Sequence, residues 1–175
     1  MTEPRWLNAN ERRAWLAQLS INTMLPAALD TQLHAAGKVS LFDYHVLAML
    51  SEAEGHFLPM SELAARTSAS LSRLSHVVTK LQNRGWVERR PHPGDARVTT
   101  AHLTDQGMAT IVGLAPGHVE TVRSLFLDAL TEQDVSDLAR IGEKIVARLD
   151  SNHWILREHS DGQQTLKNGK QPSKK

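Results

Sequence analysis

Apolar residues along this chain recur with a helical period, in runs separated by glycine, proline and small polar residues. Asn8 and Glu11 form a capping pair, and Trp15, Leu16, Leu19, Met24, Ala28, Leu29 and Leu33 follow at near-helical spacing. That pattern predicts a long first helix ended by Gly37. Pro26 lies inside it and predicts a kink near Leu25, because proline removes a ladder donor and crowds the preceding turn. Ser40 opens a second helix through Leu41, Tyr44, Leu47 and Leu50, stopped by Glu54-Gly55. Leu58 to Met60 holds no more than a scrap of strand. Ser61 is then the expected N-cap of a short helix, Glu62 to Arg66, that carries Leu63 and Ala64 inward.

After the small polar turn Thr67 to Ser70, Leu74, Val77, Val78 and Leu81 form one stripe of a longer helix capped by Ser70. Gly85 stands where a left-handed C-terminal residue belongs. Trp86 to Arg90 and Val98 to Leu103 predict two short strands joined by the turn-rich segment Pro91 to Ala96. Thr104 caps a long amphipathic stretch that Pro116-Gly117 is expected to interrupt. Thr131 with Asp134 opens a last helix through Val135, Leu138, Ile141, Ile145 and Leu149. Beyond about Glu158, Gly, Gln, Lys and Ser predict a disordered tail. The expected class is mainly α with a small β-hairpin, one module of 175 residues with helical extensions at both ends.

Charge sharpens this picture. The chain carries only +1, but seven Lys or Arg against three acids between Ser61 and Thr104 leave that segment at +4. From Ile155 onward five cations stand against two acids, at +3, so the remainder of the chain is at −6. A basic centre in an acidic frame is the footprint of a localised polyanion-binding surface. The absence of cysteine excludes disulfides, thiolate metal sites, cysteine nucleophiles and thiol-based redox sensing. The polar start and the lack of any run near the roughly 20 apolar residues of a membrane span point to the cytoplasm and away from a membrane partner.

Two helices joined by a small polar turn, the second with a cationic outer face, have the layout of a helix-turn-helix, and the hairpin that follows supplies a wing. Short hydrogen-bonding side chains near a recognition helix N-terminus approach base edges, and cations further along meet phosphates. Ser70, Ser72, Arg73 and His76 suit the first task, and Lys80 and Arg84 the second. Arg89 and Arg90 are further phosphate candidates. Arg97, near the hairpin tip, is placed to enter the narrow minor groove, where negative potential is enhanced. Asp95 is expected to hold a neighbouring arginine through a charge-assisted hydrogen bond. Neither end helix can bury its apolar face within a small winged core, so both require a partner, and isologous pairing supplies one.

The run from Leu81 through Gly85, Val87 and Arg89, continuing to Asp95 and Arg97 and then to Leu103, Thr104 and Gly107, resembles the pattern L-x-x-x-G-x-V-x-R … D-x-R … L-T-x-x-G of the multiple-antibiotic-resistance regulator (MarR) family of winged helix-turn-helix repressors. The resemblance extends over roughly Leu7 to Leu149. It implies a homodimer whose intertwined terminal helices set two winged modules in successive major grooves of a pseudo-palindromic operator on double-stranded DNA. Asp95 and Arg97 take the wing positions, with Arg97 in the minor groove. It further implies release by a small aromatic or carboxylic effector bound between the dimerisation and DNA-binding regions. On this basis residues 1–36 form an N-terminal dimerisation helix, 37–104 the DNA-binding region, 105–153 the C-terminal dimerisation helices and 154–175 a basic tail. Trp15, Tyr44 and His45 are the candidate effector pocket.

The nine histidines show no H-x-x-x-H or H-E-x-x-H spacing, so neither a metal site nor a cofactor is expected. No G-x-S-x-G, P-loop or dinucleotide-binding glycine pattern is present, which argues against an enzyme. The alternative function is a non-specific architectural DNA-binding protein, which shares the basic patch without reading sequence.

Overall fold

The computed structural model describes residues 3–92 and 94–157; the stretch expected to form a disordered tail beyond Glu158 lies outside them. Helix α1, Ala9–Gly37, begins at a reciprocal cap: the Asn8 side chain accepts from the Asn10 and Glu11 N–H groups at 2.9 Å, and Glu11 accepts the Asn8 N–H at 2.8 Å. The helix runs unbroken through Pro26. Proline leaves the carbonyl four residues earlier without its partner, and here that residue, Asn22, is exposed, so water satisfies it. The helix ends at Gly37 as expected, and the residue after it, Lys38, is left-handed (φ 55°), its N–H returning to His34 O at 3.0 Å.

Helix α2, Leu41–Glu52, starts at a second reciprocal cap between Ser40 and Asp43. Strand β1, Phe57–Pro59, leads directly into α3, Met60–Arg66, so the expected Ser61 cap is corrected: Pro59 precedes the helix, with no side-chain cap. Helix α4 spans Leu71–Asn83, and the hairpin is β2, Val87–His92, with β3, Asp95–Leu103. Both strands are longer than their apolar content predicted. They pair antiparallel as Val87 with Leu103 and Arg90 with Thr100, and a register shift at Pro91/His92 then sets His92 against Asp95. Proline is tolerated there because β2 is an edge strand in the order β1-β3-β2.

Helix α5, Asp105–Leu125, passes through Pro116-Gly117 without the expected interruption. The carbonyl freed by Pro116 belongs to Val112, which is 63% exposed and so open to water. Helix α6, Glu132–Leu149, opens with the Thr131/Asp134 capping box, and a last helical turn covers 154–157. No described helix is long and apolar enough to cross a membrane.

One core joins the winged module. Val46, Leu47 and Leu50 from α2, Leu63 from α3, Leu74, Val78 and Leu81 from α4, Val87 from β2 and Ala101 from β3 are all fully buried. At roughly 1.5–3 kcal/mol for each fully buried large aliphatic, this cluster is the main source of the module's stability. The end helices differ. On α1, Trp15, Leu16, Leu19, Ile21 and Met24 are exposed, and on α6 so are Val135, Leu138, Ile141, Ile145 and Leu149. Helix α6 buries none of its own residues.

Candidate nucleic-acid interface

Ser70 stands in extended backbone and its Oγ accepts the Arg73 N–H at 3.2 Å, so the hydroxyl caps α4 as expected. With Leu74, Val78 and Leu81 turned into the core, Ser72, Arg73, His76, Thr79 and Lys80 occupy the exposed side of the helix. Behind this face, Thr104 locks the end of α4 to the start of α5. Its N–H donates to Trp86 O at 3.0 Å, its hydroxyl donates to Gly85 O at 2.7 Å, and the same oxygen accepts the Gly107 N–H at 3.0 Å. Gly85 takes the left-handed conformation the sequence predicted, at φ 74°.

The structure redistributes the cations that the sequence assigned to phosphates. Lys80 donates from Nζ to Asp43 Oδ2 at 2.5 Å, and Asp43, 1% exposed, holds the cap of α2 with the same oxygen. Arg84 donates to Lys38 O at 3.0 Å and lies over the Trp86 ring, tying the end of α4 to the end of α1. Arg89 turns back from the wing onto α4, donating to Ser75 O at 2.7 Å, Thr79 Oγ1 at 3.0 Å and Gln82 Oε1 at 3.0 Å. Arg90 is paired with Glu88 at 2.6 Å on its own strand. The Asp95 carboxylate accepts the Arg97 backbone N–H at 3.0 Å, so it holds the neighbouring arginine by its main chain and shapes the wing turn. Among the described residues, the Arg97 guanidinium has no hydrogen-bond or ion-pair partner. Ser72 and His76 stand exposed on α4, and Arg73, also exposed there, rests its guanidinium over the Phe42 ring, 4.1 Å from the centroid.

Asp43 is a member of this arrangement that the sequence did not reveal. It completes the cap of α2 with Ser40, but its partner Lys80 lies 37 residues away. Removing that partner leaves a buried carboxylate with one backbone donor, and the half-exposed lysine moderates the loss. Lys80→Ala is therefore expected to lower folding stability by about 1–2 kcal/mol in a urea titration while leaving the salt dependence of DNA binding unchanged. A fall of about one in the slope of log affinity against log salt would return Lys80 to a phosphate.

The three residues expected to line a pocket do not meet in one chain. Tyr44 packs against His118 of α5, ring centroids 4.2 Å apart. His45 borders a cavity of about 440 Å³ with Pro26, Ala27, Asp30, Leu41, Phe42 and Arg73. Trp15 is 57% exposed on α1, about 16 Å along the helix from Pro26 at 1.5 Å per residue. Burial lowers the His45 and His118 pKa values below the ordinary imidazole value, with Glu52 opposing the shift at His45. Burial first, then the charge of Glu52, raises that of Tyr44. On the wing, burial followed by the nearby Arg90 charge lowers that of His102, against an opposing effect of Glu88.

Comparison with known proteins places this geometry among relatives. A model of the MarR family matches residues 39–98. Transcriptional repressor MprA of Escherichia coli K12 is 28% identical over 107 residues, which is 61% of this chain and 60% of the repressor. The crystal structure of Sco3205, a MarR family transcriptional regulator from Streptomyces coelicolor solved in complex with DNA, is 37% identical, with a TM-score of 0.81 over 86% of this chain and 94% of that one. AbsC, a MarR family transcriptional regulator from the same organism, is likewise 37% identical with a TM-score of 0.81, over 85% of this chain and all of its own.

Proposed function

The chain belongs to the MarR family of DNA-binding transcriptional regulators, and from that premise we propose that it is a homodimeric repressor that leaves a pseudo-palindromic operator when a small aromatic or carboxylic effector binds. The observation that carries the DNA reading is the exposed polar start of α4, with Ser72, Arg73 and His76 outward, beside a wing tip where the Arg97 guanidinium has no hydrogen-bond or ion-pair partner among the described residues while its N–H is held by Asp95. Residues 37–104 bind the duplex, with α4 in the major groove and Arg97 in the minor groove. Arg73 and His76 read base edges, and Ser70 and Ser72 allow close approach. Lys80, Arg84 and Arg89 hold the module in shape, and Arg90 stands near the backbone on β2.

Residues 1–36 and 105–153 dimerise. This follows from the apolar faces of α1 and α6, which their own chain leaves uncovered and which a two-fold partner would bury. The effector site lies where α1, α2 and α5 converge behind the module, near Tyr44 and His45. Binding, and not bond-making, is the whole of the chemistry.

The test is selection of bound sequences from a random duplex pool at about 150 mM salt, with titration of the winner against a scrambled duplex and sedimentation of the protein. The expected result is a pseudo-palindrome with half-sites about 10–10.5 base pairs apart, bound by a dimer roughly 10³-fold or more tightly than the scrambled duplex. Equal affinity for both duplexes would make the protein an architectural binder instead.

A further inference from the structure

Helix α6 packs on no other element of its own chain to any substantial extent among the described residues, whereas α1 and α5 hold the winged module through α2. The chain beyond α6 nevertheless returns to that module, at α3. A stiff turn follows Leu149: the Asp150 N–H donates to Val146 O at 2.8 Å, Asn152 N–H to Asp150 Oδ1 at 3.0 Å, and His153 N–H to Asp150 O at 3.2 Å. It delivers Trp154, whose indole Nε1–H donates to Arg66 O at 3.1 Å and whose ring packs against the core. The Arg66 guanidinium lies 5.6 Å from the centre of that ring, His153 Nε2 is 3.5 Å from Ser68 Oγ, and Arg157 reaches to 3.9 Å from Glu62.

All of these contacts fall on α3 and the turn between α3 and α4. That turn transmits displacement with little slack. Thr67 is buried and donates to Leu63 O at 2.7 Å, Ser68 is held in the left-handed region at φ 50°, and the Ala69 N–H donates to Ala64 O at 2.9 Å, one residue before the cap of α4. The half-buried Trp154 indole, pinned through its N–H, is a rigid element with only two side-chain torsions to absorb movement. The end of α6 is therefore joined, through Trp154 and the turn after α3, to the start of α4.

We propose that Trp154 is a positioning residue that sets the separation and rotation of the two recognition helices, and so selects operators by half-site spacing. The inference rests on the dimeric reading above, in which α6 lies at the two-fold. One base pair inserted or removed between half-sites moves them by about 3.4 Å along the axis and rotates one about the other, so a strutted dimer rejects it and an unstrutted one accommodates it.

The test uses full-length protein and three duplexes: the selected operator and versions with one base pair added or removed at its centre. Wild type is expected to prefer the selected spacing by at least about 10-fold, and Trp154→Ala to prefer it by less than about 3-fold, with single half-site affinity and dimer sedimentation unchanged. Trp154→Phe keeps an apolar ring but removes the N–H, and is expected to fall between them. A general loss of stability does not alter the ratio among spacings. Retention of the full ratio by Trp154→Ala overturns the proposal, and if that variant does not fold, retention by Trp154→Phe overturns it. A wild-type protein that sediments as a monomer overturns the dimeric reading and the strut with it, whereas a wild-type dimer that shows no spacing preference overturns the strut alone.

Discussion

Gly107→Ala is expected to lower folding stability by about 3 kcal/mol, the upper end of the usual cost of overpacking. A Cβ at this position would lie 2.1 Å from the Trp86 carbonyl oxygen and 2.7 Å from Leu103 Cδ1. The oxygen has no room to withdraw, because it accepts the Thr104 N–H at 3.0 Å and so joins the wing to α5. Relief of the clash requires the first turn of α5 to lift from β2, which also breaks the Thr104 hydroxyl bonds. Gly113, in the same helix with nothing within 4 Å of its hypothetical Cβ, is the control. Gly113→Ala is expected to be neutral or to stabilise by about 0.5–1 kcal/mol, as alanine does in an exposed helix. Equal urea midpoints for the two variants would show that the contact at Trp86 does not constrain the fold.

The largest effect on DNA binding is expected at the wing. Arg97→Ala should reduce operator affinity by about 10- to 100-fold with the dimer intact, the range for losing one arginine contact in a groove. That contribution depends on where the wing stands, and Arg89 sets this by reaching three α4 residues from β2. Arg89→Ala is accordingly expected to weaken binding without changing the salt slope, since no phosphate contact is lost. In the double variant the loss of Arg97 should cost much less than it does alone, a coupling of about 1 kcal/mol or more. Simple additivity in this cycle would mean that Arg89 does not position the wing, and a slope reduced by about one would return it to the DNA backbone.

The helices were legible because their signals are local. Asn8 with Glu11, Ser40, and Thr131 with Asp134 each cap a helix within three residues, and the apolar stripe of α4 marks its buried side without reference to any other element. Local rules failed where solvent or a neighbour overrode them. Pro116-Gly117 read as an interruption, but Pro116 frees a carbonyl on an exposed residue, as Pro26 does within α1, and both helices continue. Gly37 marked the end of α1, but the left-handed cap that follows it is a lysine, Lys38, which the sequence did not signal. The motif residues Gly85, Thr104 and Gly107 were visible as a pattern, but the reason for them, a close-packed junction between two turns 19 residues apart, was not.

By itself, then, the sequence determined the order and type of the helices, the winged layout with its basic centre and the absence of thiol chemistry, because periodicity, caps and charge act within a few residues of one another. Only the tertiary structure decided which cations remain available to a ligand. Lys80, Arg84 and Arg89 read as surface charges until partners 37, 46 and up to 14 residues away take them up, and Trp154, expected at the start of a tail, meets its acceptor across 88 residues. A side chain's charge is written in the sequence; whether that charge faces solvent or an internal acceptor depends on distances that arise only when remote segments pack.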